Sequence, residues 1–137
     1  MDGSAAGPAA AEDARLAVAA LLVMAARADE AYQENERSVI EDVLAEHYRL
    51  TRDQARTLRT DAEAAEAEAV DLYRFTRAVR DAIPIDERMF ILEALWTVIL
   101  TDAHRDPLED TLMRQIADRL GLSAMDSALA RQRVARD

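Results

Sequence analysis

The sequence predicts an all-α protein, a compact bundle of about seven helices in two pseudo-symmetric halves. Three observations predict this fold class. Gly and Pro number only three each among 137 residues, too few for a turn-rich β protein. Apolar residues recur at helical spacing along most of the chain. A unit of buried helix, acidic loop, amphipathic helix and polar third helix occurs twice. We therefore expect a single domain over residues 12–137, preceded by a disordered tail over residues 1–11.

The first three helices follow from the pattern of the first half. Helix one is predicted over about residues 12–28, where apolar residues on nearly every side indicate a buried helix. Helix two, over about residues 34–47, has a single apolar stripe. Thr51 and Gln54 have the spacing of a capping box and should begin helix three. This helix runs to about Glu68, and its Ala, Arg and Glu content predicts an outer position.

The second half predicts four more elements. A short helix four has an apolar stripe, and the pattern leaves open whether helices three and four are one kinked rod or two pieces. Pro84 should open helix five, because a missing N–H costs nothing in a first turn. Helix five is apolar on nearly every side. Asp106 and Pro107 open helix six, Gly121 should end it, and Ser123 should cap helix seven.

The two halves can be superposed along the sequence. Helices one and two align with helices five and six at an offset of 73 residues, which is the separation of Asp29 and Asp102 in the sequence. Leu50 matches Leu122 at a distance of 72 residues, so one residue is gained or lost inside the second helix of a half. Neither half alone would bury its central helix. We therefore expect helix one to pack against helix five.

Composition restricts the classes of function. A net charge of −10 disfavours nucleic acid and anionic membranes as partners, and favours cations and basic partners, although it also simply keeps a protein soluble. The absence of Cys excludes disulfides and thiolate metal sites. No signal peptide and no apolar run long enough for membrane insertion is visible, so a cytoplasmic location is expected. No catalytic arrangement of Ser, His and Asp and no glycine-rich phosphate loop occurs, so we expect no enzyme.

The acidic loop that joins the first two helices of each half contains the candidate functional residues. An Asp is followed seven positions later by a Glu in both copies, as Asp29 and Glu36 and again as Asp102 and Glu109. Each Asp lies at the end of a helix, next to the partial negative charge of the last carbonyl groups, which is unfavourable. Its recurrence indicates a positive partner, either an Arg side chain or a metal ion.

Two interpretations of the second loop are open. As a structural turn, Asp106 is the N-cap, Pro107 the first residue and Glu109 the third residue of helix six, and no ion is needed. That interpretation does not explain Asp102. As a metal site, Asp102, Asp106 and Glu109 converge on a divalent cation such as Ca²⁺, Mn²⁺ or Zn²⁺, with a loop carbonyl and waters completing the shell. His104 would add a nitrogen ligand if the ion were Zn²⁺.

The first loop has a degraded version of this set. Asp29, Gln33 and Glu36 occupy the corresponding positions, but Gln33 is uncharged where the second loop has Asp106. A weaker metal site is expected there. The alternative partner for Asp29 is Arg27 or another Arg, in a partly exposed ion pair.

Other polar or aromatic residues receive structural interpretations. His47 ends helix two, where a cationic side chain suits the helix C-terminus. Trp96 lies on a core stripe and should serve packing. Glu93 lies on a buried helix and should pair with Arg74 or Arg77.

The two loops, residues 28–36 and 101–109, resemble the repeated turn of the TerB-like family, Ala-Asp-Gly-x-hydrophobic-Asp-x-x-Glu. Residues 71–76 and 116–123 are also similar to an uncharacterised subgroup of that family, so the resemblance covers about residues 12–135. It implies an all-helical fold of two related halves with an acidic surface that binds divalent cations. It further implies a docking module for protein partners, some of them membrane-associated, in stress or tellurite-resistance responses rather than an enzyme.

The chain departs from the family turn at three positions. Glu30 and Ala103 replace its Gly, and Gln33 replaces the second Asp of the first loop. The missing Gly disfavours a left-handed turn conformation. The ion, the protein partner and the oligomeric state are left open by the sequence, with a co-chaperone-type scaffold without metal as the alternative function.

Overall fold

A computed structural model describes residues 8–28, 32–69, 71–101 and 107–136, without the side chains of residues 8, 107–109 and 136. Within these ranges the chain forms seven α-helices and no strand. The helices are α1 (Pro8–Arg27), α2 (Glu34–Tyr48), α3 (Arg52–Glu68), α4 (Tyr73–Ala82), α5 (Met89–Ile99), α6 (Pro107–Arg119) and α7 (Ala124–Arg136). The predicted all-α class is confirmed. None of the described helices is both long enough and apolar enough to cross a membrane.

α1 lies at the centre of the molecule. α3 and α4 pack along it, and α5 crosses it. Val18, Leu21 and Leu22 are fully buried, and the alanines between them let the neighbouring helices approach closely. α5 is the second buried helix, with Ile91 and Leu95 fully enclosed. The predicted packing of helix one against helix five is therefore confirmed.

The helices of the two halves make corresponding contacts. α1 packs against α3 as α5 packs against α7, and α2 packs against α3 as α6 packs against α7. α4 has no counterpart among the described residues and packs mainly against α1. The two-fold relation predicted from the sequence is thus present in the packing.

The end of the second helix has the same backbone geometry in both halves. Arg49 follows α2 in the left-handed region with φ 56°, and Gly121 follows α6 with φ 75°. The next amide, of Leu50 in one half and Leu122 in the other, donates to a carbonyl five residues earlier at 2.9 and 2.8 Å. Both ends are therefore Schellman-type terminations.

The third helix of each half begins with a capping box. Thr51 Oγ1 accepts from the Gln54 amide at 3.1 Å, and Gln54 Oε1 accepts from the Thr51 amide at 2.9 Å. Ser123 Oγ accepts from the Asp126 amide at 3.0 Å, and Asp126 Oδ2 accepts from the Ser123 amide at 2.8 Å. The predicted caps at Thr51 and Ser123 are confirmed, because both motifs are local and need no distant partner.

Helix five begins later than predicted. Pro84 precedes a 3₁₀ turn over Ile85–Glu87, and α5 starts only at Met89. Arg88 holds this turn against the end of α6, because its Nη1 donates to the Leu120 carbonyl at 2.9 Å. Ile85, in this turn, is 55% exposed.

The start of α1 differs from the sequence prediction, and the structure decides whether helices three and four are separate. α1 begins at Pro8, several residues before the predicted start. Helices three and four are two pieces, since α3 ends at Glu68 and α4 begins at Tyr73. Asp71 precedes α4 and stabilises its start, because its Oδ1 accepts from the backbone N–H of Tyr73 at 2.9 Å.

Candidate functional site

The described part of the first loop shows how α2 begins. Gln33 is the N-cap in an extended conformation, and its amide donates to Glu36 Oε1 at 3.0 Å. Glu36 is only 3% exposed. The side chain predicted as a weak metal ligand is therefore engaged in starting the helix, as the structural interpretation requires. Asp29 lies outside the described residues, so its predicted metal role and its alternative pairing with an Arg stay predictions.

The second loop connects two helices whose ends are described. α5 ends at Ile99 and α6 begins at Pro107. Asp102 and Asp106 lie outside the described residues, and so does the side chain of Glu109, although its backbone belongs to α6. Their metal role stays a prediction. Within the described residues, no three His, Asp or Glu side chains come together to hold an ion.

A network of arginines and carboxylates ties the first loop to α2 and α3. The Tyr32 hydroxyl donates to Glu63 of α3. Arg59 bridges this carboxylate and Glu41 of α2, with Nη1 at 2.6 Å from Glu63 and Nε at 2.8 Å from Glu41. Arg52 also contacts Glu41, at 3.2 Å. The spacing of Arg59 and Glu63 by four residues was the only sequence signal for this network.

Two further arginines place positive charge beside the first loop. The guanidinium carbons of Arg27 and Arg37 lie 5.1 and 4.9 Å from the centre of the Tyr32 ring. Arg27 comes from the end of α1 and pairs with Glu66 at 3.2 Å. Arg37 comes from the start of α2 and lies 3.9 Å from Glu63. The first loop is thus flanked by guanidinium groups supplied by the helices on both sides of it.

The second half has no arginine at these two positions. At the repeat distance of 73 residues, Arg27 corresponds to Leu100 and Arg37 corresponds to Asp110. Leu100 caps the end of α5 and is 36% exposed. The repeat therefore conserves the helix geometry but replaces one arginine by an apolar residue and the other by an acid.

The network also shifts the protonation of its members. Burial, followed by the hydrogen bond to Glu63, raises the pKa of Tyr32 to about 12. Burial alone would lower the pKa of Arg59, but its hydrogen bonds to Glu41 and Glu63 raise that pKa above its ordinary value. Tyr32 therefore remains a hydrogen-bond donor, and Arg59 remains charged, at any physiological pH.

His47 lies in the last turn of α2, as predicted. Its ring stacks on Phe90 of α5 with the centres 3.7 Å apart and the planes at 12°. Burial lowers the pKa of His47, which disfavours the cationic form that the prediction assumed. The stacking on Phe90 was not evident from the local sequence, because Phe90 comes from another helix.

Two other side-chain predictions have different outcomes. Glu93 pairs with Arg133 of α7 at 2.9 Å, so the predicted partners Arg74 and Arg77 are wrong. The sequence analysis expected the preceding helix, α4, to pack beside Glu93, whereas α7 packs against α5. Trp96 is 5% exposed and serves packing as predicted.

Comparison with known proteins gives one match. The family model for TerB, tellurite resistance protein TerB, matches residues 15–132. No curated protein and no solved structure matches this chain.

Proposed function

The chain belongs to the TerB family, and from this membership we propose that it is a non-enzymatic module that binds a divalent cation at its second acidic loop and docks to a protein partner. The observation that carries the metal part is the replacement of Arg27 and Arg37 by Leu100 and Asp110 at the corresponding positions of the second half. The two loops share a helix geometry and differ in how their negative charge is balanced.

The electrostatic argument starts at the end of the buried helix. The last carbonyls of α5 carry partial negative charge, and Asp102 follows them directly. Asp106 lies in the connection to α6, and Glu109 and Asp110 are the third and fourth residues of α6. The second half has no arginine at the two corresponding positions, and in this proposal a bound cation supplies balancing charge for Asp102, Asp106 and Glu109. Carboxylate oxygens are the ligands that Ca²⁺ and Mn²⁺ prefer.

The first loop takes a structural role in this proposal. Glu36 begins α2, and the arginines around Tyr32 balance the local negative charge. We therefore expect the first loop to bind a divalent cation more weakly than the second, through Asp29, Gln33 and Glu36.

Thermal unfolding tests the metal part directly. We expect Ca²⁺, Mn²⁺ or Zn²⁺, added after EDTA treatment, to stabilise the protein by about 2.7 kcal/mol at 100 times the dissociation constant. Asp102→Asn should remove most of this stabilisation, and Asp29→Asn should remove less. Asp86→Asn, which removes one exposed charge from the 3₁₀ turn, is the matched control. If none of the three ions raises the unfolding midpoint, the metal part is wrong.

A second substitution tests the charge argument itself. Leu100→Arg places a guanidinium where the first half has Arg27, at a position that is already partly exposed. We expect this variant to unfold at a higher temperature than the wild type in EDTA and to gain less from the ion. An undiminished response to the ion would show that the missing arginine is irrelevant to binding.

A metal-free scaffold is the second candidate function. It is favoured by Glu36, which is buried and accepts from the Gln33 backbone N–H at the start of α2. If Glu109 does the same in the second half, both loops are capped turns. Asp102→Asn would then leave the midpoint unchanged in EDTA and in each ion alike, while binding to a protein partner would persist.

A further inference from the structure

We propose that a groove between α1 and α3 docks a basic segment of a protein partner, with Lys or Arg side chains on either side of an apolar anchor. We call it the α1–α3 groove and define it by the acidic residues Glu12, Asp53 and Asp61 and the apolar residues Leu16, Leu50 and Leu58. Its volume is about 550 Å³. It lies apart from both acidic loops in the sequence, and two of its acids are on α3.

The acidic rim has a regular geometry. Asp53, Thr57 and Asp61 succeed one another at four-residue intervals, so they share one face of α3. Eight residues of helix rise by about 12 Å, which sets the distance along α3 between the two carboxylates. Glu12 faces this row from α1. Two cationic side chains separated by about 12 Å along a partner segment would meet opposite charge at both ends of the groove.

The floor of the groove is apolar. Leu16, Leu50 and Leu58 are partly buried and pack against the core, with the remainder of each side chain open to the groove. A large apolar side chain of the partner would bury this remainder, which gives affinity that charge alone does not supply.

The rim carboxylates are available for a partner. Within the described part of the chain, Glu12 and Asp61 make no ion pair or side-chain hydrogen bond. Asp53 has only Arg56, at 3.7 Å, and both side chains are largely exposed, so this pair contributes little.

Four acids and one arginine line the groove, so its formal charge is negative. Arg15 lines the groove, but its guanidinium lies over the Tyr48 ring at 4.9 Å. Asp13 also lines the groove, and it borders a neighbouring groove with Arg74 and Arg77, so we leave it out of the binding set.

Charge complementarity selects a basic peptide as the occupant. Nucleic acid is disfavoured by the net charge of −10 and by the acids at the rim. A single metal ion is disfavoured because these carboxylates do not form a cluster that could hold one among the described residues. Separate carboxylates on either side of an apolar floor fit a segment that alternates cationic and apolar side chains.

This inference deepens the docking part of the proposed function and is independent of its metal part. All binding measurements are therefore made in EDTA. If no ion binds to the second acidic loop, binding of the peptide to the α1–α3 groove is unaffected. If the peptide does not bind to the groove, the ion-dependent stabilisation is unaffected.

The probe is a fluorescein-labelled peptide of repeated Lys-Leu-Ala-Arg units, and its control has Gln in place of Lys and Arg. We expect saturable binding of the basic peptide, seen by fluorescence anisotropy with the full chain, and at least tenfold weaker binding of the control. Glu12→Gln with Asp61→Asn should weaken the basic peptide at least fivefold. Thr57→Arg, which puts a cation into the groove from an exposed position, should weaken it similarly.

The matched control for charge is Asp86→Asn with Glu87→Gln, which removes two exposed acids outside the groove. We expect less than a twofold change for this pair. An equal loss in both double variants would mean general attraction to an acidic protein and would overturn the proposal. Amide chemical shifts locate the contact as well: changes confined to residues 12–16 and 50–61 support the groove, and changes centred elsewhere refute it. No binding to the wild type also refutes it.

Discussion

Glu41 joins α2 to α3 through ion pairs with two arginines of α3. It is 8% exposed, and it accepts from Arg59 at 2.8 Å and from Arg52 at 3.2 Å. Arg59 is itself nearly enclosed, so loss of the Glu41 carboxylate leaves its Nε without a partner, while Glu63 still balances the charge through Nη1 at 2.6 Å. We expect Glu41→Ala to destabilise the protein by about 2 kcal/mol, measured by urea unfolding, because a buried donor is left unsatisfied.

Asp42 provides the control for this prediction at the adjacent position. It contacts Arg52 at 2.7 Å, but both side chains are more than half exposed. Asp42→Ala should cost less than about 1 kcal/mol, because water and salt screen an exposed pair. Similar losses for both variants would mean that burial does not decide the strength of these pairs.

The alkaline limit of stability should be set by tyrosines. All 17 basic residues are Arg and the chain has no Cys, so Tyr is the side chain that titrates between pH 10 and 12. Burial raises the pKa of Tyr48 to about 12. The folded state keeps this proton above pH 10 while the unfolded state loses it, so the free energy of unfolding falls as pH rises from 10 to 12.

Tyr48→Phe tests this directly, because the variant has no phenol to ionise at that position. Urea unfolding at pH 9 and pH 11 should show a smaller decrease for the variant than for the wild type. Absorbance at 295 nm should show one late-titrating phenol fewer in the variant, since Tyr32, whose pKa is also raised to about 12, remains. An identical decrease in both proteins would assign the alkaline loss to other groups.

At the scale of the helix, the repeat allows the same left-handed backbone position to be compared with an Arg in one half and a Gly in the other. Arg49 and Gly121 occupy equivalent left-handed positions, with φ 56° and 75°. A side chain is disfavoured there and Gly is not. We expect Arg49→Gly to stabilise the protein by about 0.5–1 kcal/mol and Gly121→Ala to destabilise it by about 1 kcal/mol or more.

The Gly121 substitution has a second cost. A Cβ at this position would lie 3.2 Å from Ile85 Cδ1, so that side chain must move. Differential scanning calorimetry of both variants measures the two effects. A loss of stability in Arg49→Gly would mean that contacts of the arginine side chain outweigh the backbone preference.

Helix ends could be predicted from sequence where their determinants are local. Thr51, Ser123 and Gly121 each act within a few residues, so their roles were evident from spacing alone. The start of α5 could not be predicted, because Arg88 fixes it by reaching the carbonyl of Leu120 in another helix. The same reason explains the error at Glu93, whose partner Arg133 is 40 residues away.

The helices that each acidic loop connects could be predicted from the sequence, but the ion pairs beside the first loop could not. The repeat placed both acidic loops between the correct helices. The sequence also contained the replacements of Arg27 by Leu100 and of Arg37 by Asp110, but their meaning depends on where the guanidinium groups lie. Only the structure shows that both arginines lie over the Tyr32 ring and pair with glutamates beside it.

At the scale of the whole molecule, the two halves depend on each other because α1 is shared. α3 belongs to its own half, whereas α4 and α5 come from later in the chain and cover its remaining sides. Leu21 and Leu22 of α1 are fully buried in the intact bundle. The repeat therefore does not define two domains, and residues 12–135 should unfold as one cooperative unit.

Division of the chain between α3 and α4 tests this interdependence. We expect a fragment of residues 1–70 to lack cooperative unfolding, because α1 would lose α4 and α5 and expose apolar surface. A fragment of residues 71–137 should behave similarly, since α5 would lose α1. Mixing the two should restore helicity and a single thermal transition, measured by circular dichroism at 222 nm. A cooperative transition in either fragment alone would contradict the single-domain interpretation and would mean that one half carries a sufficient core of its own.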